Sequence, residues 1–108
     1  MSHSGTRRTG GSITATSVDM NATSNGTSIK AKGATIASLL VRGVSGAHVN
    51  HITTIQVSRN GTDWVNTNHT ITGVGVLDAV LCLGNHYRHR VTTVEDAAST
   101  ADISLIIR

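Results

Sequence analysis

The sequence predicts an all-β fold: an antiparallel β-sandwich or jelly-roll-like barrel of about seven or eight short strands with an extended N-terminal arm. Three observations predict it. Thr occurs 16 times and Ser 11 times, Val and Ile together supply 20 of 108 residues, and Lys, Glu, Gln and Leu are scarce, which favours strands over helices. Turn residues punctuate the chain at intervals of about ten residues from Thr27 onward. Finally, no segment carries the apolar period of a helix.

Residues 1–28 form the expected arm, rich in Gly, Ser, Thr and Asn, with Gly10-Gly11 and Asn25-Gly26 as breaks. Only Ser12 to Val18 reads there as a strand, so the arm is expected to be extended and poorly packed on its own domain. The sandwich domain is expected over residues 29–108. Ser28 to Lys32 and Thr35 to Arg42 are strands parted by Gly33. In the second, Ala37, Leu39 and Val41 share one face while Ile36 and Leu40 share the other, so both faces are expected to be covered. Gly43 to Asn50 reads as a loop, and His51 to Ser58 resumes alternation with Ile55 and Val57 together.

Asn60-Gly61 stands between Ile55/Val57 and Trp64/Val65. Asn and Gly tolerate positive φ, so this dipeptide predicts a two-residue type I′ hairpin and antiparallel pairing of its flanks. Trp64 then covers the end of the core near the turn. Val74 to Val80 is the next strand, Gly84-Asn85 a turn, and His86 to Val94 a strand with Tyr87, His89 and Val91 opposed to His86, Arg88 and Arg90. Glu95 to Thr100 reads as a polar, solvated loop. The chain closes on Asp102 to Arg108, where Ile103, Leu105 and Ile107 alternate.

Several function classes lose support at this level. No apolar run approaches the length of a membrane helix, and Arg7-Arg8 is not followed by the apolar stretch of a secretion signal. One cysteine, Cys82 between Leu81 and Leu83, makes no internal disulfide and is expected as a buried small hydrophobe. The net charge is +3, but the positive residues are spread out; only Arg7-Arg8 and Arg88/Arg90 lie close together. A dedicated nucleic-acid domain shows a denser basic stripe interleaved with aromatics, so no direct nucleic-acid binding is expected. Six histidines raise the question of a metal, yet His48/His51 and His86/His89 are each three apart, which on a strand places them on opposite faces. No metal site within one chain and no cofactor is expected; a metal shared by histidines of several subunits on a symmetry axis is the alternative. Gly43-Val44-Ser45-Gly46 lacks the final glycine of a nucleophile elbow, no phosphate loop precedes a helix, and no catalytic residue is assigned. The Asn-x-Ser/Thr triplets at Asn21, Asn25, Asn60 and Asn68 follow from the richness of the chain in Asn and Thr.

From about Gly33 to Arg108 the layout resembles small virion proteins of tailed bacteriophages, the head decoration (cement) and fibre components. The stretches that carry the likeness are Ile55-Gln-Val-Ser-Arg-Asn-Gly-Thr-Asp-Trp-Val65 and the strand from Asn85 to Thr92, followed by an apolar strand, Ala101 to Arg108. That family often has Pro-Gly where this chain has Gly84-Asn85, and the arm before Gly33 has no fixed counterpart in it. The resemblance implies a homo-oligomer, often a trimer, seated on the outside of a virion against the major capsid protein or other virion proteins. On that expectation Arg7, Arg8, Ser12, Arg88 and Arg90 are interface candidates, because arginines facing an acidic shell aid encounter and register. A fibre or adhesion module that binds a host surface or carbohydrate, and a neck or tail connector, are the alternatives. The adhesion reading requires Trp64 and Tyr87 exposed on one face.

Overall fold

The computed structural model of the chain describes residues 11–31, 35–81 and 85–108. Among them the fold is an all-β sandwich of two antiparallel sheets without a helix. The strands are β1 (Gly11–Asp19), β2 (Ser24–Asn25), β3 (Ile29–Lys30), β4 (Thr35–Gly46), β5 (Ile52–Ser58), β6 (Val65–Thr72), β7 (Gly75–Leu81), β8 (His86–Thr93) and β9 (Ser99–Ile107). Sheet I runs β1-β9-β4-β7. Sheet II runs β2-β8-β5-β6, with β3 also paired to β8.

Alternation builds the core. Ala37, Leu39 and Val41 of β4 and Ala101, Ile103, Leu105 and Ile107 of β9 face inward from sheet I. They meet Ile55 and Val57 of β5, Ile71 of β6, and Tyr87 and Val91 of β8. Register follows from this burial: Ile103 lies opposite Val41 and Leu105 opposite Leu39, and a one-residue slip turns each of these rows to solvent.

Four expectations are corrected here. The segment 11–28 is extended but not a loose arm: β1 pairs with β9 from Gly11↔Ile107 to Asp19↔Thr100, and Met20 is fully buried. Residues 1–10, with Arg7 and Arg8, lie outside the described residues. So does Cys82. The loop expected from Gly43 begins later, because β4 continues to Gly46 across a bulge between Gly43 and Ser45. The β5–β6 hairpin forms, with Val57 opposite Val65, but not through a two-residue turn. Of Asn60 and Gly61 only Gly61 has positive φ, at 80°, and the connection spans residues 59–64. The Asn60 side chain organises it: its Oδ1 accepts from the backbone N–H of Thr62 and of Asp63. An Asn side chain that substitutes for backbone acceptors removes the need for a second left-handed residue. Lastly, Ile36 and Leu40 are not covered; they stand exposed on the outer face of sheet I.

Candidate functional site

The two sheets differ in charge. The five strands of sheet II contain Lys30, Arg88 and Arg90 and no Asp or Glu. Those of sheet I contain Asp19, Asp78 and Asp102 against one Arg42. Because Tyr87, His89 and Val91 point into the core, alternation sends His86, Arg88 and Arg90 to the outer face of sheet II. Lys30 lies opposite His86 on the neighbouring strand, and Arg59 follows at the end of β5.

Side chains on this face are tied together across three strands. Arg88 Nε donates to Gln56 Oε1 at 2.7 Å, and Gln56 Nε2 donates to Asn66 Oδ1 at 2.7 Å. The Arg88 guanidinium also lies over the Trp64 ring, 4.2 Å from its centroid. Arg90 Nη1 donates to Asn25 Oδ1 on β2. Burial first, and the neighbouring Arg90 second, hold the Arg88 pKa below its ordinary value; an arginine remains charged at neutral pH all the same. The result is a basic surface whose two central arginines are already oriented.

At the β5–β6 end lies an open cleft of about 380 Å³ lined by Val57, Ser58, Arg59, Asn60, Asp63 and Val65. Ser58 Oγ accepts from the backbone N–H of Gly61 at 2.8 Å, and Asn60 Nδ2 donates to Asp63 at 2.8 Å. Asp63, the carboxylate at this end, is thereby turned toward its own loop.

At the opposite end of β5 the structure assembles a cluster that spacing along a strand does not foretell. His48 Nδ1 and His51 Nε2 are 2.9 Å apart, because residues 48–51 form a turn instead of a strand. Glu95 is buried, not solvated as expected: its Oε1 accepts from the backbone N–H of Val49, Asn50 and His51. Burial opposes its charge, but these three donors outweigh it and leave its pKa below the usual value. Burial and then His48 lower the His51 pKa, against the pull of Glu95. Asn21 bridges the same loop, donating to the carbonyls of Glu95 and Ala97. Ser99 Oγ lies 3.3 Å from His48 Nδ1 but is itself buried. With one carboxylate oxygen engaged by three backbone amides, the cluster ties the 49–51 turn to the loop after β8. No group of three or more His, Cys, Asp or Glu in ligating arrangement occurs among the described residues.

The predicted site residues do not all meet. Arg88 and Arg90 share the basic face, whereas Ser12 lies opposite Ile106 on β9, in the other sheet. Trp64 is corrected from core to surface: it is half-buried under Arg88 and stands apart from the core cluster. Six residues precede β6 in the β5–β6 connection instead of two, and the ring lies against Arg88 on the outer face of sheet II. Gln56, Asn66 and Asn25, which hold the arginines, had no signal in the linear sequence, since their role arises from cross-strand register.

No protein-family model and no curated protein sequence matches the chain. In structure it is similar to PliG of Aeromonas hydrophila, a periplasmic inhibitor of g-type lysozyme, with a TM-score of 0.60 and 12% identity over 100% of this chain and 92% of that one. A second similar structure is FlhE, with a TM-score of 0.44 and 9% identity over 91% of this chain and 94% of the other. At such identity the likeness to PliG establishes the fold.

Proposed function

We propose that this chain is a structural protein of a bacteriophage virion, a capsid decoration protein that docks the outer face of sheet II onto an acidic protein surface of the shell. The observation that carries this reading is the segregation of charge: Lys30, Arg88 and Arg90 on a sheet without a carboxylate. Two of the cations are held in place beforehand, Arg88 by Gln56 and Trp64 and Arg90 by Asn25. Ordering them in the free protein lowers the entropy lost on docking, and their charge speeds encounter and sets register. A protein that binds the assembled shell and not its separated parts stabilises the shell by mass action. The phage-like stretches at residues 55–65 and 85–92 supply the virion context.

Adhesion to a carbohydrate is disfavoured. Tyr87 is 0% exposed, and one face of Trp64 is taken by Arg88, so the aromatic platform is missing. The same lack of free aromatic faces disfavours single-stranded nucleic acid. The fold is compatible with a binding role; the similar PliG is an inhibitor of g-type lysozyme.

Co-sedimentation with empty shells of the phage that carries this chain tests the reading. Binding is expected to weaken with salt and to fall by roughly tenfold or more in the double variant Arg88→Ala/Arg90→Ala. Absence of binding at low salt sinks it. Stoichiometric inhibition of a g-type lysozyme by the purified chain supports an inhibitor instead.

A further inference from the structure

The sandwich has four sheet edges, and three of them carry features that block strand pairing. β1 is bulged between Ala15 and Val18, with Ser17 in left-handed backbone at φ 50°. The β2/β3 edge consists of two-residue strands and carries Lys30. β6 meets a register shift at Thr54/Gln56 and exposes Asn66 and Asn68. Bulges, short strands, lysines and polar side chains are the means by which natural edges avoid pairing.

β7 has no bulge, no lysine and a full strand's length. Its seven residues pair with β4 without a shift, from Thr35↔Leu81 to Val41↔Gly75, and it contains no Lys, Arg or Pro. Its one charge, Asp78, is drawn toward β4 by the Ser38 hydroxyl, which donates to it at 2.6 Å. Around this Ser38–Asp78 pair the outer face of sheet I exposes apolar side chains. Val76, 69% exposed, lies opposite Leu40, and Ile36, Val74 and Ile106 are also exposed. Both faces of β4 are apolar in sequence, as in a strand covered on each side, yet the monomer leaves the outer side open.

We propose that two copies of this chain pair through β7, antiparallel across a two-fold axis, joining their sheets I into one continuous sheet of eight strands. A strand edge is self-complementary under such an axis, since each copy offers the same alternation of N–H and C=O. About 24 Å of β7 is available for it. The basic faces of sheet II repel one another and leave this edge to a second copy, although full overlap of β7 sets Asp78 opposite its symmetry mate, a like-charge pair that weakens the dimer. Val76 and its symmetry mate then extend the strip of Leu40 and Ile36 across the junction. This pairing does not depend on what the basic face binds.

Sedimentation equilibrium of the purified chain across a roughly hundredfold dilution, run for the wild type, Val76→Lys and Val49→Lys, decides it. Val49 is 68% exposed, lies in the loop before β5 and outside β7, and serves as the control. The wild type and Val49→Lys are expected to reach twice the chain mass at high concentration, and Val76→Lys to stay at one chain mass with an unchanged circular dichroism spectrum. A wild type that stays monomeric, one that forms a trimer, or a dimer that survives Val76→Lys each overturns the proposal.

Discussion

His89 gives the sandwich a defined sensitivity to acid. The ring sits in the core at 2% exposure, facing inward from β8 beside Ile55 on β5, and neither ring nitrogen has a hydrogen-bond partner. Gly26 closes over it, with its backbone N–H donating to the His89 carbonyl at 2.8 Å. Burial lowers the His89 pKa from 6.5 to about 4. The lowered value fixes the sign. Above pH 6.5 the ring is neutral folded and unfolded, and stability is fully present; between 6.5 and about 4 only the unfolded chain takes the proton, so stability falls as pH falls. At about 1.4 kcal/mol per pH unit, the loss reaches about 2 kcal/mol at pH 5 and saturates near 3 kcal/mol. For a domain of this size about 2 kcal/mol corresponds to a Tm lower by roughly 10 °C. Urea unfolding at several pH values between 8 and 4.5, for wild type and His89→Leu, reads this directly. The variant is expected to be at least as stable at pH 8, because it removes two orphaned polar atoms, and to lose less stability on acidification. The other histidines and the lowered pKa values of Glu95 and Asp102 act in both proteins and cancel in the difference. Equal slopes in the two proteins refute the reasoning.

Gly26→Ala places a methyl group 2.2 Å from His89 Nε2, so it is expected to cost about 1–3 kcal/mol by overpacking, with much of the loss restored by adding His89→Ala; chemical denaturation of the single and double variants checks both. Arg88→Ala uncovers the single tryptophan and removes a cation–π contact worth about 0.5–1 kcal/mol; the emission of Trp64 should shift to the red and become more accessible to iodide. Asn60→Ala removes the acceptor of the Thr62 and Asp63 amides and is expected to cost about 1–2 kcal/mol. Asn60→Asp keeps an oxygen acceptor but sets a carboxylate where Nδ2 donates to Asp63, so the like-charge repulsion offsets that gain and it too is expected to destabilise, as urea unfolding will read. Glu95→Gln weakens the anchor of the 49–51 turn; amide exchange at Val49, Asn50 and His51 is expected to accelerate while that of β9 is unchanged.

The sheet was legible in the sequence wherever a period of two ran unbroken. Ile103, Leu105 and Ile107, and Tyr87 and Val91, marked their inward faces without ambiguity, and the positions of Arg88 and Arg90 on the outer face followed. Regions whose conformation is set by distant partners were not legible. Gly43 to Gly46 looked like loop because glycine and serine carry no strand period, yet pairing with Ser99 to Ala101 draws them into β4. Glu95-Asp96 looked solvated because a carboxylate gives no local sign that three amides from another loop will enclose it. Asn60-Gly61 pointed correctly to a hairpin, but local propensity does not determine how many residues the connection uses. The same limit applies to the candidate site: two arginines were visible, while the Gln56–Asn66 chain that orients one of them exists only in the β8-β5-β6 register.

Pairing through β7 bears on docking through sheet II. Antiparallel neighbours within a sheet are related by an axis perpendicular to it, which keeps the same face of both copies on the same side. A β7 dimer therefore presents two basic faces in one direction, with β7 at the centre and Lys30, Arg88 and Arg90 repeated on either side. On a shell that repeats its own acidic surface, the second face binds as an intramolecular step, and avidity of this kind is worth about 10²- to 10⁴-fold when the spacing matches. Val76→Lys leaves every residue of the basic face in place. It is nevertheless expected to weaken binding to shells about a hundredfold, the lower end of that range, with the salt dependence per chain unchanged. Arg88→Ala/Arg90→Ala is expected instead to reduce both the affinity and its dependence on salt, because it removes the charges themselves. If Val76→Lys abolishes the dimer and shell binding stays at the wild-type level, the two surfaces act independently and each chain docks alone.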